Sequence, residues 1–451
     1  MCGRFDNAHR PWHITHVSAW TQLRRREMLM SSRVTRRGFL AGLGTGVVAP
    51  YVVGSRVLAA PPSDQIRMGH IGVGGQGGGH LGRFAQNDRE PTVAVCDVDK
   101  NHAENAAKRC KGEVGVYNDF RELLDRKDVD AVVVGSPDHW HGLHTILSCE
   151  AGKDVFCEKP MMTTIAEGQA MVRAARRFDR VVQIGTQARS TAAGRYAAQY
   201  VRNGHIGKVK EVRTWHYNNP ASGWEAPQPV PSGLDWDLWL GPAKWVPYHP
   251  KRCHFNFRWF LDFGGGQIRD RGAHIFSNIC WGMNVDATGP VSIECLSGEA
   301  PKGMFDCPND FTVKYEFKNP DWNLFWCQPG ENYGGAAFGF KYFGDKGELV
   351  VNGGDGGIWS PKEVYVEPGA GETRLYVSND HMGDFLKCVR SREKPVMDVA
   401  IGHRVTSLCI LGNLAFRVGR KLVWDPAREE IVGDEAANRL LNPPMRPPWH
   451  L

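Results

Sequence analysis

Among its twelve cysteines the sequence has no C-x-x-C pair, which removes a zinc ribbon and a thioredoxin-like redox motif. It also lacks any charge imbalance once the first sixty residues are set aside. Those sixty hold nine arginines against Asp6 and Glu27, and the remaining chain carries 46 basic against 47 acidic residues. Phosphate backbones are bound by a concentrated basic face, so a neutral body behind a basic leader excludes nucleic acid as the partner and favours a small neutral molecule. A third absence is an unbroken apolar run near the start. Ala41 to Ala60 is apolar, yet Gly42, Gly44, Gly46, Pro50 and Gly54 interrupt it, whereas a spanning helix needs about 20 continuous apolar residues.

What stands there instead is Thr35-Arg36-Arg37-Gly38-Phe39-Leu40 ahead of that broken run, the pattern of a twin-arginine export signal, with cleavage expected near Ala59 or Ala60. The expectation is a leader over 1–60, a periplasmic or extracytoplasmic protein, and no stable membrane insertion after cleavage. This export route carries proteins already folded, so a cofactor loaded in the cytoplasm travels with the chain and must be held and regenerated in place. The 451 residues exceed what one core usually serves, and two domains are expected, over 61–187 and 188–451.

The first of these alternates strands with helices. A short buried strand, Ile66 to Val73, runs into Gly72-Val73-Gly74-Gly75-Gln76-Gly77 and then a helical stretch. In this G-x-G-x-x-G pattern the first glycine permits a tight turn and the second lets a pyrophosphate approach the backbone. The third lets helix and strand pack closely, with the helix N-terminus aimed at the phosphates. A second strand, Thr92 to Cys96, ends at Asp97, where a carboxylate accepts from ribose hydroxyls and repels a 2′-phosphate, favouring NAD over NADP. Further strands are expected at Val114 to Tyr117, Ala131 to Val134, Asp154 to Cys157 and Val181 to Ile184, separated by helices. The fold class is therefore α/β, a doubly wound parallel sheet. Cys96 and Cys157, at the ends of apolar runs, are expected as buried free thiols.

Two segments at strand ends carry more functional groups than packing requires: Ser136-Pro137-Asp138-His139-Trp140-His141 and Glu158-Lys159-Pro160. Ligands of an open α/β sheet bind outside the carboxyl ends of its strands, so both are expected to face a cofactor crevice. A third segment, Gly264 to His274, leads into a helix that places Asp270 and His274 one turn apart, off the apolar stripe of Ile268, Ile275 and Ile279. A carboxylate one turn before an imidazole can orient it for acid–base work. Trp140, His141, Gln187, Arg189 and Arg271 are candidate substrate contacts, because sugars stack on aromatic rings and polar groups at strand ends can line the cleft. No metal ligand set is read.

Together, Gly72 to Gly77, Asp97, Ser136-Pro137 with His141, Glu158-Lys159-Pro160 and Asp270-x-Gly272-x-His274 resemble the Gfo/Idh/MocA oxidoreductase family, secreted bacterial branch. The resemblance implies a Rossmann domain followed by an α+β domain with an open, mainly antiparallel sheet, a homo-oligomer, NAD as cofactor and a carbohydrate substrate. It implies Lys159, Asp270 and His274 as catalytic residues and Glu158 beside the nicotinamide, with a cis bond ahead of Pro160. Gly72, Gly74, Gly75, Gln76, Gly77, Asp97, Ser136, Pro137, His141, Glu158 and Lys159 are then the cofactor-binding set. The secreted pattern often has other residues where this chain carries Arg271, Ile275 and Ser277, so substrate preference stays open. Two uses of the same groups also stay open: net oxidation of a hydroxyl, or transient oxidation that drives elimination of a glycosidic group and then returns the hydride. A third, a nucleotide-binding sensor without chemistry, fits less well with intact Lys159, Asp270 and His274.

Overall fold

The computed structural model describes residues 65–353, 357–361 and 364–451, and the export signal expected in the leader lies outside them. Six short strands, β1 (Met68–Ile71), β2 (Thr92–Cys96), β3 (Gly115–Tyr117), β4 (Ala131–Val134), β5 (Asp154–Cys157) and β6 (Val182–Ile184), form one sheet in the order β3-β2-β1-β4-β5-β6. Every pairing in it is parallel. Four of these strands are apolar at almost every position because helices cover both faces, as parallel sheets require. The connections are α1 (Gly75–Phe84), α2 (Lys100–Arg109), α3 (Phe120–Leu124), α4 (Asp138–Glu150) and α5 (Ile165–Arg177).

The starts of these helices are written in the sequence. Asp99 and Asp119 cap α2 and α3, and Thr164 with Glu167 forms a reciprocal capping box on α5. The exception is α4. Its periodicity suggests a start near His141, but the chain is helical from Asp138 with Pro137 at the cap, so the polar run after β4 is the first helical turn rather than a loop. Proline lacks an N–H to satisfy and has its φ already set, which makes it a natural helix entrance.

After α6 (Ala192–Arg202) the chain enters a nine-stranded sheet, ordered β13-β12-β11-β7-β10-β9-β8-β14-β15. These are β7 (Val209–Trp215), β8 (Ser292–Glu299), β9 (Asn309–Phe317), β10 (Trp322–Gln328), β11 (Gly339–Gly344), β12 (Glu348–Asn352), β13 (Ile358–Ser360), β14 (Leu422–Asp425) and β15 (Glu430–Ile431). All neighbours are antiparallel except β7 and β10. Alternation shows in β9, which buries Phe311, Val313, Tyr315 and Phe317, and in its partner β10, which buries Trp322, Leu324 and Trp326. At roughly 1.5–3 kcal/mol for each large apolar side chain removed from water, this face is the main stabilising surface of the second half.

Between β7 and β8 lie α7 (Trp236–Leu240), α8 (Gln267–Asp270) and α9 (Gly272–Met283); later come α10 (His381–Ser391), α11 (Val399–Val418) and α12 (Glu435–Arg439). The α9 and α11 helices pack on each other, and α11 lies against β8 of the second sheet as well as α5 and β6 of the first. It is long and apolar enough to cross a membrane, but 78% of its apolar window is buried inside the protein. Ion pairs Arg83–Asp380 and Arg392–Asp154 tie the α10 region to α1 and β5 at 2.6 and 2.7 Å. Residues 63–451 thus form one compact unit, with Cys96 and Cys157 buried and unpaired as expected.

Candidate active site

A cleft of about 530 Å³ opens at the carboxyl ends of the parallel strands, where the order reverses between β1 and β4. Its floor is the glycine loop. Gly72 has φ +79°, and a Cβ on Gly77 would lie 1.9 Å from the Gly72 carbonyl oxygen, so only glycine lets α1 sit this close to β1. A Cβ on Gly75 would meet nothing within 4 Å, which leaves the first α1 turn open to the cleft. Gly72, Gly74, Gly75 and Gln76 line it, with the early N–H groups of α1 free of intrahelical acceptors. Across the loop, Asp97 Oδ2 accepts from the Val73 and Gly74 amides at 2.9 and 3.2 Å, and Oδ1 accepts from Asp99 N at 2.9 Å. This cradle fits a dinucleotide: open amides for the pyrophosphate, and a fixed carboxylate for the ribose.

Beside Asp97 the fold gathers an unforeseen cluster. Asp99, His102 and His254 bring three potential ligand atoms within 4.8 Å of one another, although no metal set was read in the sequence. Each imidazole already has a carboxylate neighbour, His102 with Asp97 at 3.6 Å and His254 with Asp99 at 3.2 Å.

At the other end Lys159 Nζ donates to Asp270 Oδ1 at 2.6 Å and to the Asp270 carbonyl at 3.1 Å. The guanidinium groups of Arg258 and Arg271 stand 3.6 and 3.9 Å from the same carboxylate. Burial works to raise the Asp270 pKa, but the charges of Lys159, Arg258 and Arg271 outweigh it and hold the group below the usual carboxylate range. Glu158 is equally buried. Its Oε1 lies 2.6 Å from His80 Nε2 and accepts from Gln187 Nε2 at 3.3 Å, and its Oε2 accepts from Lys159 N at 3.1 Å. Desolvation pushes its pKa up, while His80 chiefly, then Lys159 and His274, bring it down to about 2. Asp138, also buried, goes the other way, its pKa raised by desolvation that nearby cations do not cancel. The Lys159–Pro160 bond is cis.

The cleft therefore brings together Lys159, Asp270 and His274, which lie far apart in sequence, with Asp97, Ser136, Pro137, His141, Glu158, Gln187, Trp140 and Arg271. The helix expected to carry Asp270 and His274 is two pieces, α8 and α9, joined through Arg271 in helical geometry, and the shortest of the three salt bridges of Asp270 is with Lys159. His141 spans the two functional loops, its ring nitrogens 2.7 Å from the carbonyls of Ser136 and Pro160. Trp140 touches the cleft, but its Nε1 donates to Leu238 and Trp239 carbonyls, and its ring stacks on His144.

Arg189 requires correction. It is 1% exposed, bonded to Ser277 and ion-paired with Asp286 at 2.6 Å, so it faces the interior and is no substrate contact. Among the other tryptophans, Trp239 lines the cleft, Trp215 and Trp236 are buried, and Trp224 is 81% exposed. Sequence reasoning missed Arg258, which sits in an aromatic stretch without a motif. It also missed His80, hidden in the helix behind the glycine run although it lies four residues after Gln76, on the same helical face.

Comparison with known proteins agrees with this geometry. Residues 66–186 match the oxidoreductase family described as an NAD-binding Rossmann fold, and residues 206–318 and 350–451 match its C-terminal alpha/beta domain. The chain belongs to the Gfo/Idh/MocA oxidoreductase family, with an NAD-binding Rossmann domain at its N-terminal side. It is 31% identical over 168 residues to an inositol 2-dehydrogenase of Salmonella typhimurium, covering 37% of this chain and 50% of that protein. It is 34% identical over 128 residues to an alpha-N-acetylgalactosaminidase of Shewanella oneidensis, covering 27% and 28%. The chain thus spans half or less of the length of these curated relatives. In fold it is similar to the WlbA dehydrogenase from Bordetella pertussis, solved with NADH and UDP-GlcNAcA, with a TM-score of 0.58, 19% identity, and coverage of 79% and 98%.

Proposed function

We propose that this protein moves hydride between a secondary hydroxyl of a sugar or polyol and a tightly held NAD. What carries the reading is the Lys159–Asp270 bond of 2.6 Å inside the same cleft as His274 and the glycine cradle. NAD, when bound, supplies the electron acceptor. Gly74, Gly75 and Gln76 would hold its phosphates and Asp97 its ribose, with Glu158, Gln187 and Lys159 at the nicotinamide end. Oxidising an alcohol requires a base for the hydroxyl proton and a cation for the charge that grows on oxygen. His274 takes the proton, and Lys159 steadies the alkoxide. Asp270 aims Lys159, while Arg258 and Arg271 help hold that carboxylate ionised, so that it does not draw the proton itself.

The neutral body of the chain and the carbohydrate-linked names of its relatives support a neutral sugar or polyol. To test this, purified protein is weighed after denaturation for co-purified dinucleotide, then incubated with myo-inositol, glucose and 4-nitrophenyl α-N-acetylgalactosaminide while NADH is followed. Stoichiometric NADH upholds net oxidation; no turnover of any of the three, with no dinucleotide bound, overturns it. A second reading rests on the relative named alpha-N-acetylgalactosaminidase: a redox-neutral cycle in which oxidation is transient and a glycosidic group leaves. Cleaved glycoside without net NADH selects that reading. We also infer export through the twin-arginine signal and residence outside the cytoplasm, supported by Arg36-Arg37 and the run that follows. Homo-oligomer assembly is inferred through the outer face of the nine-stranded sheet, where Leu296 and Val423 are exposed.

A further inference from the structure

A segment from the second half of the chain closes the adenosine end of the cleft. Between β7 and α8 the chain returns to the first sheet: Asp235 N donates to Val98 O and Lys100 N to Gly233 O, each at 2.9 Å, and Asp99 pairs with Leu234 as an antiparallel bridge. An aromatic core of its own, Trp236, Trp239, Tyr248, Phe257, Trp259 and Phe260, stiffens the segment, with Val98 packed against it. Further along, His254 reaches the same corner and meets Asp99 and His102, with one ligand atom of each within 4.8 Å of the others. We propose that Asp99, His102 and His254 bind one divalent transition-metal ion of the zinc type, which clamps this segment over the adenosine end of the bound dinucleotide. Ion binding stands apart from the hydride-transfer reading; the clamp rests only on the place of the dinucleotide in the glycine cradle.

The donor types select the ion. Two imidazoles and one carboxylate suit zinc, nickel or copper, whereas magnesium and calcium take oxygen donors. Asp99 and His102, three residues apart, share one face of the first turn of α2. Asp99 is fixed there because its Oδ1 caps the helix, accepting from Asn101 N at 2.8 Å, while its Oδ2 stands 3.2 Å from His254 Nε2. That separation is close to the ~3.3 Å edge of a tetrahedron with metal–ligand bonds of about 2.0 Å, so two of the three donors already stand at a working spacing. His102 completes the set by a small shift of one side chain. A carboxylate neighbour steadies its ring, Asp97 Oδ2 being 3.6 Å from Nδ1.

Charge favours a dication over two ordinary ion pairs. Asp97 and Asp99 are adjacent carboxylates, and among the described residues neither is ion-paired with a lysine or arginine. Two imidazolium rings with centroids 4.5 Å apart would repel each other, so the histidines serve poorly as a pair of cations. One dication balances both carboxylates and leaves the rings neutral, as ligands must be. It would also stand beside the phosphate loop, since a Cβ on Gly74 would lie 2.8 Å from the His102 ring. Both rings line the cleft and the His254 side chain is 42% exposed, so an ion reaches the site without unfolding. The remaining coordination position falls to water, as in zinc sites with three protein ligands.

The test uses the full chain, dialysed against EDTA, then into plain buffer, and titrated with zinc chloride by calorimetry. Wild type should bind one zinc ion per chain with a micromolar or tighter Kd. Asp99→Asn, which preserves the cap on α2, and His254→Ala, at an exposed side chain, should each weaken binding by at least ~100-fold, the upper end of what loss of a mere outer-shell partner costs. Equal thermal midpoints without zinc show that both variants fold. Cobalt added in place of zinc should give wild type, and neither variant, the strong visible absorption of a four-coordinate ion. Release of bound NADH into excess NAD, followed by fluorescence, should be at least ~5-fold slower with zinc than with EDTA in wild type, and indifferent to zinc in the variants, as coupling between neighbouring sites requires. No saturable zinc binding by wild type, or zinc held as tightly by both variants, overturns the site and leaves the oxidoreductase reading standing. Zinc held by the three residues with NADH release unchanged upholds the ion site and overturns the clamp. Zinc bound by a protein that takes up no dinucleotide upholds the ion site and overturns the cofactor assignment instead.

Discussion

The two ends of the cleft are built on opposite plans. At the nucleotide end the cradle is local: Gly72 to Gly77 and Asp97 lie within 25 residues, and the carboxylate accepts from the Val73 and Gly74 amides of the loop it faces. At the reacting end nothing is local. Lys159, Glu158, His80, Arg258, Asp270 and His274 come from four separate stretches, and their charges are balanced by one another across 111 residues in the case of Lys159 and Asp270. A backbone cradle binds a constant ligand, whereas a set of mutually held side chains sets the protonation of a reacting atom. Arg189 provides a third region for contrast, a buried charge paired with a partly exposed Asp286 and outside the cleft. Burial of charge by itself is therefore no mark of chemistry; access to the cleft is.

The largest effect that would sharpen this contrast is at Lys159. Lys159→Ala removes the cation beside the developing alkoxide and should lower kcat by about 10³–10⁴-fold. Dinucleotide affinity should move less than about 3-fold, because the glycine cradle does not depend on it. Steady-state kinetics alongside an equilibrium titration separates the two, and a parallel loss of both would erase the distinction between the ends. The control is Arg189→Ala. Removing one partner of a buried pair costs about 3–5 kcal/mol, here nearer the lower figure because Asp286 is 21% exposed and can be hydrated. Chemical denaturation should show that loss, while kcat per folded molecule stays within about 2-fold of wild type, as expected for a structural ion pair.

Legibility followed the same division. Strands β1 to β6 and the glycine loop could be placed from apolar runs and turn spacing because each is fixed by neighbours in sequence. The Asp270–His274 pair is legible as a spacing, yet its working partner, Lys159, stands 111 residues away in the segment after β5 and could not be deduced from helical periodicity. Arg189 misled for the reverse reason: its place after the last Rossmann strand suggests the cleft, and only the packing of α9 shows it turned inward to Ser277 and Asp286. Strands β7 and β12 to β15 were not anticipated. Apart from β7, they are short, and pairing to distant strands, not their own alternation, defines them.

A pH measurement breaks the comparison differently. Glu158 has a folded pKa near 2 against an ordinary value of 4.5, so folding favours its ionised form. A depressed carboxyl contributes its full stabilisation above the unfolded pKa and loses it as pH falls through the folded one. The shift corresponds to about 3 kcal/mol, lost between roughly pH 4.5 and 2. In His80→Gln the main cause of the depression is gone, so the stability of the variant should fall less steeply over that window. Denaturant midpoints taken at steps of pH measure the slope, and equal slopes in both proteins would show that His80 is not the group that holds Glu158 ionised.

The smallest effect is the most specific. Asp97→Asn keeps an acceptor for the Val73 and Gly74 amides on one side but loses the negative charge, so the loop should retain its shape while the ribose end changes character. A carboxylate accepts from both ribose hydroxyls and repels a 2′-phosphate; an amide does each less well. Affinity for NAD should fall about 10-fold, near 1.4 kcal/mol, and affinity for NADP should rise, narrowing the ratio from both sides. With saturating NAD, kcat should stay within about 2-fold, since no group at the reacting end contacts Asp97. If kcat falls together with affinity, the loop has moved, and the carboxylate serves chiefly to hold the backbone; if only the NAD-to-NADP ratio changes, it reads the ribose.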